Sequence, residues 1–207
     1  MAEVAAASPP SARLASAALA QSSRRRRGRL LNVHRRWLPG PPEPVGALID
    51  GLAGPEDRLW PHHRWPAIRF DRPLQPGAEG GHGPIRYRVE AYEPGRRVGF
   101  RFTRMHGLEG VHYLEAEPAG PGAVVLRHVA EGRISGRMLI VWPLVIRFLH
   151  DALIEDLLDR AELAVTGTVA GPARWSPWVR LLRGRLRRRR TRTAVLGRPT
   201  DPAAPQR

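Results

Sequence analysis

Between residues 85 and 102 apolar and polar side chains alternate with a period of two. Ile85, Tyr87, Val89 and Ala91 interleave with Arg86, Arg88, Glu90 and Tyr92; beyond Pro94-Gly95, Val98, Phe100 and Phe102 interleave with Gly99, Arg101 and Thr103. Successive strand side chains point to opposite faces, so this pattern predicts a hairpin with one buried face. Residues 108–117 and 122–135 repeat it around Ala119-Gly120-Pro121, and the four strands make a meander. Upstream, residues 30–38 read as a strand ended by the prolines at 39–42. Pro44 then opens a short helix, in which Val45, Leu48, Ile49 and Leu52 recur at helical spacing until Gly54-Pro55 stops it. Residues 56–60 predict one more helical turn, residues 66–71 a strand, and residues 73–84 turns.

After Gly136 closes the meander, a helix is expected from Pro143 or a nearby residue to about Val165, roughly 23 residues and near 35 Å long. Ile146, Leu149, Leu153, Leu157, Ala161 and Ala164 form its apolar stripe. A stripe of that length must lie on something apolar, and the buried face of the sheet is what the chain offers. The expected fold class is therefore α+β, a curved antiparallel sheet wrapped around a long C-terminal helix.

Charge changes the picture through its distribution. The chain carries +15 over 207 residues. Residues 1–28 hold five Arg and one Glu, residues 29–166 eighteen Arg and seventeen acids, and residues 167–207 eleven Arg and one Asp. The candidate domain at 29–166 is thus nearly neutral, flanked by a leader at 1–28 and an Arg-rich tail at 167–207, both expected to be disordered. All 34 basic residues are Arg, a bias that coding composition alone produces, so the high pI is discounted as a sign of specific nucleic-acid binding. Cysteine is absent, which removes disulfides and thiolate chemistry and favours a cytoplasmic setting. The most apolar run, 138–149, contains Pro143 and Arg147 and falls short of the roughly 20 residues needed to span a bilayer.

A strand, two short helices, a run of antiparallel strands and a long final helix is the helix-grip order. It resembles the START-related SRPBCC superfamily of polyketide cyclases, coenzyme Q carriers and lipid-transfer domains. The likeness is carried by Pro41-Pro42-Glu43-Pro44-Val45 with Leu48, by residues 85–102 with the turn Glu93-Pro94-Gly95-Arg96-Arg97, and by residues 122–136 and 142–164. It implies a mostly apolar cavity between sheet and helix for a small hydrophobic molecule such as a lipid, a quinone or a polyketide. No catalytic residue carries over, because the superfamily shares no catalytic motif. The leading expectation is a binder or carrier without a cofactor; the alternative is a polyketide cyclase or dehydratase using a cavity histidine.

Candidate lining residues are His128, His112, Phe100, Phe102, Tyr113, Trp65, Trp142 and Leu126. His128 shares strand parity with Val124, Leu126 and Ala130, and a polar group on an apolar wall orients ligands or moves protons. The eight histidines match no metal-binding spacing. Gly80-Gly81-His82-Gly83-Pro84 reads as a turn, since no helix follows it to cradle a phosphate. Arg64 and Arg69, and Asp151, Glu155, Asp156, Asp159 and Glu162 on the last helix, read as solvated, with Arg147–Asp151 and Asp156–Arg160 as i,i+4 pairs. In the tail, Trp175, Trp178, Val179, Leu182 and Leu186 share one helical face among arginines that include Arg180, Arg183 and Arg187. That pattern suits an interfacial helix on anionic lipid, hence a peripheral membrane contact as a further alternative.

Overall fold

The computed structural model describes residues 22–24 and 28–196, with side chains over 28–186. Period-two alternation becomes one antiparallel sheet, to which eight strands belong among the described residues. They are β1 (Ser22–Arg24), β2 (Arg29–Pro39), β3 (Ile68–Phe70), β4 (Glu79–His82), β5 (Ile85–Glu93), β6 (Arg97–Phe102), β7 (Leu108–Pro118) and β8 (Ala123–Ile134), ordered β1-β2-β8-β7-β6-β5-β4-β3. The pairing β2–β8 brings the first long strand beside the last, and β5 to β8 form the expected meander.

Register decides which residues share the inner face. His34 lies opposite His128, Ala130 opposite His112, and His112 opposite Phe100, while Phe102 faces Tyr87 and His82 faces Ile68. The glycines Gly110 and Gly132 meet across β7 and β8. There a Cβ on either would lie 2.2 Å from a neighbouring carbonyl oxygen, so this close approach of strands requires residues without side chains.

On the inner face lies a continuous helical segment, α2 (Met138–Val141), a π-helical turn (Trp142–Ile146) and α3 (Arg147–Thr166). The helical segment begins at Met138, five residues before Pro143, and the wider π turn accommodates the N–H that Pro143 lacks. Gly167, at φ 77°, ends α3 with its N–H on the Leu163 carbonyl. The architecture is α+β, a curved sheet gripping a long helix. Short helix α1 (Pro42–Asp50) seals one end of the sheet, with Val45, Leu48 and Ile49 buried.

Several local expectations change. Residues 56–60 form turns in place of a helical turn, because the Asp57 carboxylate takes the N–H groups of Ala53, Leu59 and Trp60 and gathers the chain around itself. Within the stretch expected as turns, residues 79–82 pair as β4. Ser22–Arg24 pair with β2, so the leader is not without structure throughout; residues 1–21 and 25–27 lie outside the described residues. In the tail, α4 (Pro177–Leu196) forms and its first turns pack on the domain, while residues 197–207 lie outside the described residues.

Two apolar clusters hold the layers together. The larger joins α1, the middle of the sheet and the second half of α3, and includes Val45, Ile49, Val98, Phe100, Leu126, Leu157 and Leu158. The smaller gathers Leu30, Leu108, Ile134, Met138 and Trp142 under α2 and the π turn. Between them the inner face is polar.

Candidate ligand site

Five histidines, one from β2, β4, β7, β8 and α3 respectively, meet in that polar zone. Ring centroids run His34–His128 6.4 Å, His128–His150 5.0 Å, His34–His150 6.0 Å and His112–His128 5.7 Å. Aromatic rings continue the row. Tyr87, Phe100 and Phe102 each lie within 4.9 Å of His112, Phe102 nearly parallel to it, and His82 bridges Tyr87 and Trp60. Trp142 closes the far end over His150 at 5.9 Å.

Elements position these groups for ordinary reasons. On β2, the residues Leu30, Asn32, His34, Arg36 and Leu38 all point inward, so three polar side chains stand in an apolar alternation. On α3, His150 sits four residues after Ile146 and three before Leu153, inside the apolar stripe.

The carboxylates of α3 answer those polar groups. His34 Nδ1 meets Glu155 Oε1 at 2.9 Å and its Nε2 meets Asp151 Oδ1 at 3.2 Å, while Asn32 Nδ2 donates to Asp151 Oδ1 at 2.9 Å. Burial alone lowers the His34 pKa, but the two carboxylates outweigh it and the pKa is raised, so the ring is held as an imidazolium. Burial tends to raise Asp151, yet His150 and His34 hold it well below the usual carboxylate range, and Glu155 is likewise lowered by His34 and Arg36. Arg36 donates to Asp159 at 2.9 Å and also to Glu162.

The neighbouring histidines behave in the opposite way. Burial, reinforced by the charge of adjacent histidines, pushes His112 and His128 well below the ordinary value, lowers His150, and brings His82 to about 4. Burial raises the Tyr87 hydroxyl above its ordinary value, so it stays neutral and keeps its proton. His150 Nδ1 faces Asp151 Oδ1 at 3.9 Å, whereas Tyr87 Oη, His112 Nε2 and His128 Nδ1 are buried and find no hydrogen-bond partner among the described residues. Deep polar atoms in this state are uncommon and call for a further partner. His34, His150 and Asp151 also offer ligand atoms within 4.8 Å of one another. Because carboxylates engage both nitrogens of the protonated His34, that grouping has the chemistry of an ion pair.

The structure brings together six of the sequence candidates: His128, His112, Phe100, Phe102 and Leu126 on the inner sheet face, and Trp142 above it. Tyr113 is a correction. One residue out of phase with His112, it lies on the outer face, under the guanidinium groups of Arg97 at 4.3 Å and Arg127 at 5.6 Å. Trp65 is also away from the row; its indole N–H donates to Asp156 Oδ2 at 2.7 Å. Sequence reasoning missed His34, His82, Tyr87, His150 and Asn32. The signal for three of them was available, since Tyr87 shares parity with Val89, Asn32 and His34 with Leu30, and their burial follows once β2 is seen to have an inner face.

The solvated reading of the α3 acids is overturned. Asp156 is buried and accepts from Arg64 at 2.5 Å and from the indoles of Trp65 and Trp175 at 2.7 and 2.9 Å. Arg64 is therefore an ion-pair partner, and Arg160 donates to the Arg58 carbonyl in place of pairing with Asp156. Arg147 does pair with Asp151, at 3.5 Å. Trp175 and Arg183, expected at a membrane, are spent on the protein itself: Arg183 lies 4.3 Å over the Trp65 ring and donates to the Arg64 carbonyl. Trp178 and Arg180 stay exposed, and the side chain of Arg187 lies outside those described.

A depression of about 640 Å³ lined by Arg29, Leu31, Arg101, Val111 and Glu131 lies over the Gly110–Gly132 crossing on the outer side of the sheet, apart from the histidine row. No helix among the described residues is long and apolar enough to cross a membrane.

With this geometry in view, solved structures provide the comparison. A conserved protein of unknown function from Enterococcus faecalis aligns over 84% of this chain and 92% of its own, at TM-score 0.54 and 12% identity. A norcoclaurine synthase point mutant from Thalictrum, in complex with a transition-state analogue, aligns over 64% and 94%, at TM-score 0.50 and 12% identity. The di-domain ARO/CYC protein of the steffimycin biosynthetic pathway aligns over 67% of this chain and 51% of its own, at TM-score 0.50 and 12% identity. No model of a protein family matches the sequence, and neither does a curated protein. The chain shares the helix-grip fold of these structures, a curved antiparallel sheet around a long helix. At these identities the likeness is one of fold, and function must come from the site.

Proposed function

We propose that the protein binds a small, largely apolar, ring-bearing molecule between the inner sheet face and α3, oriented through Tyr87, His112 and His128. The observation that carries this reading is the set of buried polar atoms on these three residues without partners among the described residues, set in a wall of aromatic rings. Faces of Phe100, Phe102 and His112 favour a flat ligand, and the polar atoms favour one with phenol or carbonyl groups. A quinone or polyketide-like molecule fits this chemistry better than a plain acyl chain. Proteins of the same fold named as a synthase and an ARO/CYC support a role in handling small molecules.

Titration of the purified protein with a hydroxynaphthoquinone, read by quenching of tryptophan fluorescence, tests the proposal. Tyr87→Phe and His128→Leu are each expected to weaken binding about fivefold to tenfold, the worth of one hydrogen bond. His63→Ala, at an exposed position, should leave it unchanged. Absence of saturable binding, or equal binding by all variants, would reject the site.

One observation favours a second reading, proton transfer of the cyclase type. His128 lies 6.4 Å from His34 and 5.7 Å from His112, ring to ring; carboxylates raise the His34 pKa while burial lowers those of His112 and His128, and opposite shifts within one site separate acid from base roles. Both nitrogens of His34 are engaged by carboxylates, so it takes no proton from the substrate; His128 acts as base, and Tyr87 donates to the carbonyl oxygen on which enolate charge develops. Exchange of the α-protons of an aromatic 1,3-diketone in D2O, followed by NMR, checks this. Acceleration lost in His128→Gln supports it, and no acceleration over buffer removes it while leaving the binding role.

A further inference from the structure

We infer that the corner formed by α2, the π turn and α4 is a docking surface for a membrane bearing anionic lipid. Ile140, Leu144 and Phe148 follow one another at intervals of four along the helical segment and are 64%, 56% and 37% exposed. The Trp178 indole N–H donates to the Leu144 carbonyl at 2.9 Å, which seats the first turn of α4 beside that stripe. Trp178 and Leu181 are themselves 41% and 45% exposed, whereas Val179 and Leu182, on the adjoining flank of α4, are buried against the domain. Five large apolar side chains from two helices therefore share one surface, supported by a buried contact beneath it.

Its electrostatic surround names the occupant. Residues 177–196 contain eight Arg and no acid, and Arg137 is exposed at the start of α2. Arg185 follows Trp178 and Leu181 at helical spacing, and positions 188 and 192 continue the same stripe of α4. A second copy of the chain on this face would set two such helices together, and their like charges would repel. Nucleic acid would meet the arginines but leave Ile140, Leu144 and Phe148 in water. A bilayer with anionic headgroups meets both, with the indole at the interface. This differs from the tail-only contact expected from the sequence, because Trp175 and Arg183 are turned inward and apolar depth comes from the helical corner. The inference does not depend on a ligand in the interior.

Co-sedimentation of the full chain with phosphatidylcholine vesicles, with and without about 30% phosphatidylglycerol, is the test. Expected is at least about tenfold tighter binding to the anionic vesicles, declining with added salt. Ile140→Glu with Leu144→Glu should weaken that binding about tenfold while circular dichroism and melting stay as in the parent. Ile140→Ser, at the most exposed of these positions, gives a smaller loss and serves if the double variant does not fold. Arg180→Glu with Arg185→Glu should abolish the preference for phosphatidylglycerol. Failure to bind either vesicle, equal binding to both, or undiminished vesicle binding by the Ile140 and Leu144 variants overturns the inference; the last would mark the helix as a general polyanion binder.

Discussion

His34 is the residue on which the candidate site turns. A buried imidazole with a carboxylate at each nitrogen is charged, and removing it leaves Asp151 to Asn32 and Arg147 and Glu155 to Arg36 alone. His34→Gln is expected to lower stability by about 2–3 kcal/mol, checked by urea unfolding near neutral pH. The pH dependence follows from opposite shifts. His82, His112 and His128 have lowered folded pKa values, so below the unfolded value near 6.5 the unfolded chain binds protons that the native state refuses. Stability should therefore climb as pH rises from about 5 to 6.5, by up to about 1.4 kcal/mol per pH unit for each such histidine. His34, with a raised pKa, contributes stability that is complete below 6.5 and is lost as pH passes upward through its folded value. Unfolding measured from pH 5 to 8 should show a maximum near neutrality, with the decline on its alkaline side absent in His34→Gln; a flat profile would contradict the buried placement.

Elements are locked by a few close approaches. Helix α1 meets the β5–β6 turn at Gly46, where a Cβ would lie 2.0 Å from the Gly95 carbonyl oxygen, and Asp50 accepts from the Gly95 N–H and the Tyr92 hydroxyl. Gly46→Ala is expected to cost about 2–3 kcal/mol through displaced backbone, visible as a lower urea midpoint. At the other side of the molecule Asp156 binds the tail to α3. Replacing Trp175 by Ala removes one of its three donors and the ring beneath Arg64, and should expose the 167–176 link to trypsin several-fold faster while the sheet stays protected. These devices explain what was legible in the sequence at this scale. Alternation and helical stripes predicted β5 to β8 and α3, but the turn around Asp57 and strand β4 were not legible, because a carboxylate capping three amides and a short Gly-rich strand held between β3 and β5 depend on neighbours.

At the scale of the molecule, charge is segregated. A nearly neutral domain carries a helix with eight Arg and no acid, docked through buried Val179 and Leu182 and the Trp178 indole, with Arg180 and Arg185 exposed. Deletion of residues 187–207 is expected to remove most retention on heparin at about 0.15 M salt and to change the melting temperature little, because Val179 and Leu182, which bury α4 against the domain, are retained. A large fall in melting temperature would show that the end of α4 carries the fold.

The sequence by itself determined strands β2, β3 and β5 to β8, helices α1 and α3, the division of charge, and the inward parity of Phe100, Phe102, Leu126 and His128, since each rests on the pattern along one segment. It predicted a container and singled out two of its histidines. Only the tertiary structure decided that β2 lies against β8, which puts His34 opposite His128, and that α3 turns its acids toward β2 and the tail. Pairing between segments about a hundred residues apart is a matter of register, and a shift of one residue would have sent His34 outward and kept Tyr113 inside. For the same reason, the inner row of histidines, neutral on the sheet and charged only where α3 supplies carboxylates, exists in no single segment of the chain.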